Sequence, residues 1–481
     1  MTVLGNFIAF VLIIDVLIVV TIIFFGRKSP SATFAWILVV LFLPIIGIIF
    51  YAFLSQNIAR KKIFKYTREE RKKIDNILIK QKKIIEGGEA QNLLDIEKKW
   101  HTLVSLNRTY GKSILTDNNK IEIFFDGQKL KEDYYHEIEN AKRSIDIEYY
   151  TIKSDTEGEK FANLLLKKAK DGIKIRLVLD AAGSKLFIRK YEQIFKGNGI
   201  ALFSFFPAIF NLINLKLNYR NHRKLLIIDD KIAYIGGFNI GNAYINKKKR
   251  YGFWRDTHLK IVGGVVNSII YRFILDLRQA SNMDLNLPSN LTDHNSLTGD
   301  LGIQIVSSGP DDTKEEIKHA FLRMITYAEK SIYIQTPYFI PDDSIFEALQ
   351  IAAYSGIDVR IMIPAKKDHP FVQSASRYYA GVLLESGIKL YMYRGGFLHS
   401  KTIIVDNQVS SVGSANFDIR SFKLNFETSA FIYSEKISNL LSEQFIKDIS
   451  QSKEITWREY KKRPRRTKIK ENLSRLLSDI L

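Results

Sequence analysis

The sequence predicts an α/β protein in which a transmembrane helical hairpin precedes two repeated α/β halves packed about a pseudo-twofold axis. Two apolar stretches near the N-terminus predict the hairpin, and short β-branched runs alternating with helical patterns from residue 118 onward predict the α/β part. One motif that recurs in each half predicts the duplication. The predicted segments are the hairpin at 1–58, a basic juxtamembrane helical linker at 59–117, the first half at 118–300, the second half at 301–450 and a basic amphipathic tail at 451–481.

The composition restricts the class of protein. Lys and Arg number 71 against 51 Asp and Glu, and the net charge of +20 indicates a polyanionic partner, either nucleic acid or an anionic bilayer. A hydrophobic share of 46% with 12% aromatic residues excludes a largely disordered chain. The absence of cysteine excludes disulfides, thiolate zinc sites and a cysteine nucleophile.

The two apolar stretches run over Leu4–Phe25 and Ala32–Leu54. At about 1.5 Å per helical residue, each is long enough for the roughly 30 Å hydrocarbon core of a bilayer. Only Gly26–Ser31 connects them, which favours a hairpin. A cleaved signal peptide is the alternative, and it fits less well because no basic residue precedes the first stretch and no Ala-x-Ala-like site follows it.

Charge flanking the hairpin predicts its orientation. The connection contains two basic residues, whereas a dense basic cluster follows the second stretch: Arg60, Lys61, Lys62, Lys65, Arg68, Arg71, Lys72 and Lys73. Basic residues remain on the cytoplasmic side. The sequence therefore predicts a multi-pass protein of the cell membrane whose main body lies in the cytoplasm.

Two passages of the α/β part resemble two later ones in the same order. Ala141–Glu148 parallels Ala328–Gln335, each with the pattern of a helix end that leads into a strand. Ala169–Val178 parallels Ala353–Met362, each with a helix, a glycine turn and a strand. The preserved order favours a duplication over chance similarity between generic βα units.

Each half then contains the motif H-x-K-x4-D. Its members are His222, Lys224 and Asp229 in the first half, and His399, Lys401 and Asp406 in the second. These six are the candidate catalytic set. In a strand, residues two apart share a face, so each histidine points with its lysine. The aspartates have the opposite parity and fall where the strand turns back, which is more typical of a turn or ion-pair residue than of a group touching the reacting atoms.

Small residues and an asparagine follow each motif, and Asn239, Asn416 and Ser414 are the candidate phosphate-binding residues. If the halves pack face to face, two histidines, two lysines and two asparagines converge on one anion, for which a phosphodiester is well suited. One imidazole can attack phosphorus while the other protonates the leaving oxygen. Lysine and asparagine can neutralise the developing charge, so we expect neither a metal nor another cofactor.

The doubled H-x-K-x4-D motif resembles that of the phospholipase D superfamily. The sequence segments around the motifs are similar to those of bacterial cardiolipin synthases, in particular Leu217–Lys224, Trp254–His258, Gln335–Phe339, Gly396–His399 and Asn416–Ser421. The resemblance extends to the N-terminal hairpin. It implies two phospholipase D-like halves and a membrane-bound phosphatidyltransferase.

The resemblance also implies roles for individual residues. His222 is expected to be the covalent nucleophile and His399 the general acid, although the sequence itself does not distinguish them. Such histidines are usually held by a downstream carboxylate, and the candidates are Asp256 for His222 and Glu427 for His399. Ordinary ion pairs at strand ends are the alternative for these two carboxylates.

The reaction implied by the resemblance joins two phosphatidylglycerol molecules into cardiolipin and glycerol. The expected partners are these lipids and an anionic membrane, with no nucleic acid; the oligomeric state is left open. The alternatives are a phospholipase D that uses water, a transferase with another alcohol acceptor, a membrane-tethered nuclease and a non-catalytic lipid-binding protein. The basic tail can lie on an anionic interface or pack against the catalytic body.

Overall fold

The computed structural model describes residues 10, 13–14, 16–21, 30–43, 45–54, 63–64, 66–86, 95–207, 218–281, 283, 285–288, 299–366, 368–476 and 478. Near the N-terminus, helix α1 spans Pro30–Phe42 and α2 spans Ile46–Leu54. Their aromatic rings Trp36 and Tyr51 contact each other edge to face, with centroids 5.4 Å apart. The two helices therefore pack side by side.

None of the helices in the described ranges is both long and apolar enough to cross a bilayer. The transmembrane hairpin predicted at 1–58 is therefore not confirmed. Much of its first stretch, Leu4–Phe25, lies outside the described residues.

The linker folds onto the body as helices α3 (Arg68–Glu86), α4 (Asp95–Lys99) and α5 (His101–Thr109). Thr67 and Glu70 form a reciprocal cap at the start of α3, with bonds of 2.8 and 3.1 Å between backbone N–H and side-chain oxygen. Glu70 also pairs with Arg278 of the first half at 2.6 Å. The cap and the ion pair together hold the linker against the body.

The first half alternates helices and strands along the chain. Its elements are β1 (Leu115–Asp126), α6 (Gly127–Asn140), β2 (Ser144–Tyr149), α7 (Thr156–Lys170), β3 (Lys174–Asp180), α8 (Lys185–Gly197), β4 (Ala201–Phe205), β5 (Arg220–Asn221), β6 (Lys224–Ile228), β7 (Ile232–Gly236), β8 (Phe253–Val262) and α9 (Val266–Ser281). The sheet order is β4, β3, β2, β6, β7, β8, β1, with parallel pairing among the first three strands and antiparallel pairing among the rest.

The second half repeats this order. Its elements are β9 (Leu301–Ser308), α10 (Glu316–Thr326), β10 (Ser331–Gln335), β11 (Phe339–Ile340), α11 (Asp343–Tyr354), β12 (Asp358–Pro364), α12 (Pro370–Leu383), a 3-10 turn (Leu384–Ser386), β13 (Lys389–Tyr393), β14 (Gly396–Leu398), β15 (Thr402–Val405), β16 (Val409–Gly413), β17 (Phe417–Asp418), α13 (Ile419–Lys423), β18 (Asn425–Tyr433), α14 (Glu435–Ser450), β19 (Ser452–Ile455), α15 (Trp457–Lys461) and α16 (Arg465–Leu476). The sheet order is β13, β12, β10, β15, β16, β18, β9, with β19 added beside β13. The two sheets match strand for strand, which confirms the predicted pair of α/β repeats.

The two sheets share a central apolar core with helices α9 and α14, and helices α6–α8 and α10–α12 cover the opposite faces of the sheets. Strand β6 is apolar on both faces because each face packs in a different hydrophobic core. Leu225 and Ile227 point into the core between the sheets, whereas Leu226 and Ile228 point to the helices of their own half. The residue facing the central core from β15 is Ile404.

Within the described ranges, three strand contacts join the halves. Strand β1 pairs with β9, in antiparallel register from Leu115 opposite Gln304. Two shorter parallel contacts reach across the interface: β5 pairs with β18, and β14 pairs with β8. In each short contact, the residues just before the motif histidine of one half pair with a long strand of the other half. The motifs are thereby positioned by both halves at once.

The C-terminal tail packs against α12. Tyr379 donates to Ser478 at 3.2 Å, and Glu471 of α16 is buried. The opposite side of α16 exposes Ile469, Leu473 and Leu476. The tail therefore packs against the body through one face and presents an apolar stripe on the other.

Each motif aspartate lies in the turn after its motif strand and binds the backbone at the start of a neighbouring strand, β2 or β10. Asp229 has a φ of 53°, and its carboxylate accepts from the backbone N–H groups of Lys142, Arg143 and Ser144 at 2.6 to 3.0 Å. Asp406 has a φ of 55° and accepts from the corresponding three groups of the second half at 2.7 to 2.9 Å. Each aspartate thus ties the turn after its motif strand to the start of the neighbouring strand.

Replacing Asp229 by Ala should destabilise the protein by about 2 kcal/mol, because three backbone donors lose a charged acceptor. The midpoint of thermal unfolding should fall by roughly 4–8 °C. Asp300→Ala, which removes an exposed carboxylate of the same predicted half, serves as the control and should leave the midpoint unchanged. An unchanged midpoint for Asp229→Ala would contradict the structural role.

Candidate functional site

A cavity of about 650 Å³ opens between the two halves. Both histidines of the doubled motif line it. Its walls also carry Arg220 and Asn239 from the first half and Asn416 and Arg420 from the second. The structure therefore brings together in one site the histidines that the sequence predicted would converge.

The short parallel contacts hold the histidines at this cavity. The backbone N–H of His222, directly after β5, donates to the carbonyl of Phe426 in β18 at 2.9 Å. The backbone N–H of His399, directly after β14, donates to the carbonyl of Arg255 in β8 at 2.7 Å. Each catalytic histidine is thus attached to a strand of the opposite half.

Each imidazole is hydrogen-bonded to a carboxylate that belongs to the other half. His222 Nδ1 lies 3.0 Å from both carboxylate oxygens of Glu427, and His399 Nδ1 lies 2.6 Å from Asp256 Oδ2. The predicted pairing of Asp256 with His222 and of Glu427 with His399 is therefore wrong. The two carboxylates hold histidines, as proposed, but with the partners exchanged.

The strand pairing explains the exchange. Asp256 directly follows Arg255, whose carbonyl binds the backbone of His399, and Glu427 directly follows Phe426, whose carbonyl binds the backbone of His222. The short sequence separation favours pairing each histidine with the carboxylate of its own half. The short strands instead carry each histidine to the carboxylate across the interface.

The charges in the site determine which ring nitrogen of each histidine carries the proton. Burial by itself would raise the pKa of Glu427, but the charge and hydrogen bond of His222, with Lys224, hold that pKa below its usual value. His399 and Lys401 do the same for Asp256 against the opposing effect of burial. Both carboxylates are therefore ionised and can only accept, so each Nδ1 carries a proton. Each Nε2, at the far edge of its ring, is left available for a substrate.

Burial also lowers the pKa of both histidines. For His222, the nearby Glu427 partly opposes this effect. For His399, burial and the charge of Lys401 bring the pKa down to about 4, although Asp256 acts in the opposite direction. Both imidazoles are therefore neutral at pH 7 in the empty site, which is the state required of a nucleophile.

Two buried ammonium groups accompany the histidines. Lys224 Nζ donates to the carbonyl of His222 at 2.6 Å, and Lys401 Nζ donates to the carbonyl of His399 at 2.5 Å. Burial lowers the pKa of Lys224 to about 7 and that of Lys401 to about 8. Their charge is thus sensitive to pH near neutrality.

The predicted phosphate-binding residues have different positions. Asn239 and Asn416 line the cavity. The Asn239 carbonyl oxygen accepts from the Thr151 N–H at 3.3 Å and the side chain also bonds to Tyr244, whereas Asn416 Nδ2 donates to Asp418 at 3.1 Å. Both asparagines are therefore in place to contact a bound anion.

Ser414 has another role than the one predicted. Its side chain is buried and donates to Glu427 Oε2 at 2.5 Å, so it supports the carboxylate that holds His222. Its counterpart in the first half is Gly237, where a β-carbon would overlap the carboxylate of Asp256. The prediction that Ser414 binds phosphate is thus wrong, because its hydroxyl is already bonded behind the histidine.

The inclusion of Asp229 and Asp406 in the catalytic set is also corrected. Their carboxylates bind backbone N–H groups at turns, and neither residue lines the cavity. Their parity along the strand already indicated this placement. The histidine of each motif thus lines the cavity, its lysine bonds to the histidine's carbonyl just behind the cavity wall, and the aspartate supports the sheet.

Several residues at the site were not predicted. Aromatic rings flank the histidines: Tyr150 lies 4.9 Å from His222, and Trp254 lies 5.1 Å from His399, measured between ring centroids. Asp418 also lines the cavity, and burial raises its pKa to about 6. A signal for Trp254 was its position two residues before Asp256, whereas Tyr150 lies in a strand end with no distinguishing pattern.

Comparisons with known proteins agree with this geometry. A family model described as cardiolipin synthase, PLD-like domain, matches residues 134–253 and 321–449, one match in each half. A second, described as phospholipase D-nuclease N-terminal, matches residues 9–56.

Curated relatives extend the similarity to nearly the whole chain. A cardiolipin synthase of Oceanobacillus iheyensis is 42% identical over 98% of each chain. One from Listeria innocua is 42% identical over 100% of each chain. Among solved structures, the phosphatidylserine synthase of Haemophilus influenzae matches 79% of this chain and 100% of its own, with a TM-score of 0.61 and 14% identity, which shows a shared fold.

The binding of a phosphodiester anion should weaken as the pH rises from 6 to 9. Lys224 and Lys401 lose their protons across this range because burial lowers the pKa of the first to about 7 and of the second to about 8. Dimethyl phosphate is a suitable probe, since it carries one negative charge throughout. Its dissociation constant, measured by calorimetry, should rise roughly tenfold, in line with the loss of a charged hydrogen bond.

Two variants test the source of this pH dependence. Lys224→Met should weaken binding at pH 6 and flatten the profile, whereas Lys129→Met, which removes an exposed lysine, should preserve it. A dissociation constant that stays the same from pH 6 to 9 in the unmodified protein would refute the assignment of the lysines.

Proposed function

This chain belongs to the cardiolipin synthase family of phospholipase D-like proteins and is a phosphatidyltransferase, and we propose that it converts two phosphatidylglycerol molecules into cardiolipin and glycerol. The observation that carries the proposal is the pair of imidazoles in one cavity, each oriented by a buried carboxylate with Nε2 left free. Such a pair provides one nucleophile and one acid–base group.

In the first step, His222 Nε2 attacks the phosphorus of a phosphatidylglycerol. The bound phosphate raises the pKa of His399, which takes up a proton from solvent on Nε2 before the attack. The bond from phosphorus to the glycerol oxygen breaks, and His399 gives that oxygen this proton, so glycerol leaves and a phosphatidyl-histidine remains. The resemblance to the family supports the choice of His222 as nucleophile. Burial lowers the pKa of both histidines, so their neutral state suits either one to this role and the choice rests on the resemblance.

In the second step, His399 takes the proton from a hydroxyl of a second phosphatidylglycerol. That oxygen attacks phosphorus, the bond to His222 breaks, and cardiolipin leaves. A bound phosphate raises the pKa of His399 from its value of about 4, because a nearby negative charge favours imidazolium. Asp256 stabilises the same charge from the Nδ1 side.

The substrate is a lipid, and the chain offers three features suited to a bilayer. The segment matched by the N-terminal family model includes α1 and α2, which expose large apolar side chains such as Phe34 and Phe42. We place this segment in the membrane as a hairpin, with the body on the cytoplasmic side next to the basic cluster. The exposed stripe of α16, flanked by Arg and Lys, is suited to the lipid interface.

The purified protein should convert phosphatidylglycerol vesicles to cardiolipin and an equal amount of glycerol, with a chelator present and no divalent metal added. Lipid chromatography and a glycerol assay measure both products. Phosphatidic acid as the sole lipid product would show that water is the acceptor and would overturn the transferase proposal. Nuclease activity on the same preparation should be absent.

The exchanged pairing of carboxylates predicts different kinetic effects for variants of the nucleophile and variants of the acid–base group. Phosphatidyl-p-nitrophenol has a leaving group that needs no proton, so the first step requires only the nucleophile. His399→Ala and Asp256→Asn should release a burst of about one equivalent of nitrophenolate and then stop. His222→Ala and Glu427→Gln should lose the burst by roughly 100-fold or more in rate.

Glu443→Gln, which alters an exposed glutamate on α14, is the control and should turn over normally. If the burst were absent in His399→Ala and present in His222→Ala, the nucleophile assignment would be wrong. If Asp256→Asn behaved like His222→Ala, the exchanged pairing would be wrong in solution.

A further inference from the structure

Two guanidinium groups face the catalytic cavity beside the histidines. Arg220 lies in β5, two residues before His222, and lines the same cavity. Arg420 lies in α13 and lines the cavity from the second half. Neither residue has a part in the two chemical steps described above.

Neutral groups hold these guanidinium groups in place. Arg220 donates to the carbonyl of Tyr219 at 3.3 Å, and Arg420 donates to the side-chain and backbone oxygens of Asn218 at 3.2 and 3.0 Å. Among the described residues, no carboxylate oxygen lies within 4.0 Å of either guanidinium. By contrast, the buried Arg223 has such a partner in Asp276, at 2.9 Å.

The acidic residues around the pair already have other partners. Asp180 accepts from the backbone N–H groups of Ala182, Gly183 and Asn221. Asp418 accepts from the Ser421 N–H at 2.6 Å and from the Asn416 amide.

Burial lowers the pKa of Arg420, the charges of Asp418 and Asp180 oppose this effect, and the positive charge of Arg220 adds to it. The two cations thus lie near carboxylates without a direct ion pair, so an anion that binds between them gains two charged donors.

The proposed reaction brings such an anion. In the proposed reaction the donor phosphate lies between the two histidines, whereas the acceptor phosphatidylglycerol carries a phosphate of its own. Water or a simple alcohol would carry none. A cavity of about 650 Å³ is in the range that accommodates a sizeable ligand, and a guanidinium can bind two phosphate oxygens at once.

We infer that Arg220 and Arg420 form a second phosphate subsite that binds the acceptor phospholipid and favours it over water. The inference rests on the proposed function, because only a phospholipid acceptor needs this subsite. Arg220 acts on the acceptor while His222, two residues away on the same strand end, carries the phosphatidyl group.

The test separates the donor step from the acceptor step. Full-length enzyme is given phosphatidyl-p-nitrophenol in phosphatidylcholine vesicles, and the nitrophenolate burst reports formation of the phosphatidyl-enzyme. Phosphatidylglycerol is then titrated in, and cardiolipin and phosphatidic acid are measured. Arg220→Gln and Arg420→Gln should keep the burst within about threefold. Each should require at least tenfold more phosphatidylglycerol for half-maximal cardiolipin formation, with phosphatidic acid as the main product below that level.

Arg189→Gln removes an exposed arginine of α8 and should match the unmodified enzyme in both steps. If both cavity variants keep the normal half-saturating level of phosphatidylglycerol, or lose the burst along with cardiolipin, the subsite does not exist as described. If the unmodified enzyme shows the burst and yet makes no cardiolipin, the proposed function itself fails.

Discussion

The parallel pairing of β5 with β18 and of β14 with β8 is the constraint on which the site depends. Each pairing involves only two or three residues, yet it positions a histidine backbone, and the next residue along the partner strand supplies the carboxylate for that histidine. Neither half contains a complete acid–base pair of its own. Separating the halves would remove from His222 and His399 the groups that orient their protons, so catalysis requires both halves together.

Buried charge is the second organising feature of the site. His222, His399, Lys224 and Lys401 have lowered pKa values chiefly because burial disfavours their charged forms. Two ionised carboxylates offset part of that cost from behind the rings. A phosphodiester entering the cavity supplies the missing negative charge from the front, so substrate binding itself raises the protonation of the site and prepares His399 to act as an acid.

The separate roles of the motif residues were predictable from the side-chain period of two in extended chain, although both histidines lie just outside the strands. This period placed His222 with Lys224 and put Asp229 on the other parity, at the turn where the structure shows it. The same local rule could not assign Ser414, because the contact that occupies its hydroxyl comes from Glu427 in the neighbouring strand. Contacts of this kind depend on which strands are adjacent, and the spacing within a single strand does not contain that information.

From the sequence alone, the duplication, the α/β class and the identities of the histidines, lysines and candidate carboxylates could be determined, because each leaves a repeated local pattern. Only the tertiary structure decided which carboxylate serves which histidine and which arginines line the cavity beside them. Asp256 and Glu427 were recognisable as partners, yet the halves exchange them because each short strand before a motif histidine pairs with the start of a long strand of the other half. Such an exchange depends on how two equivalent surfaces meet in space.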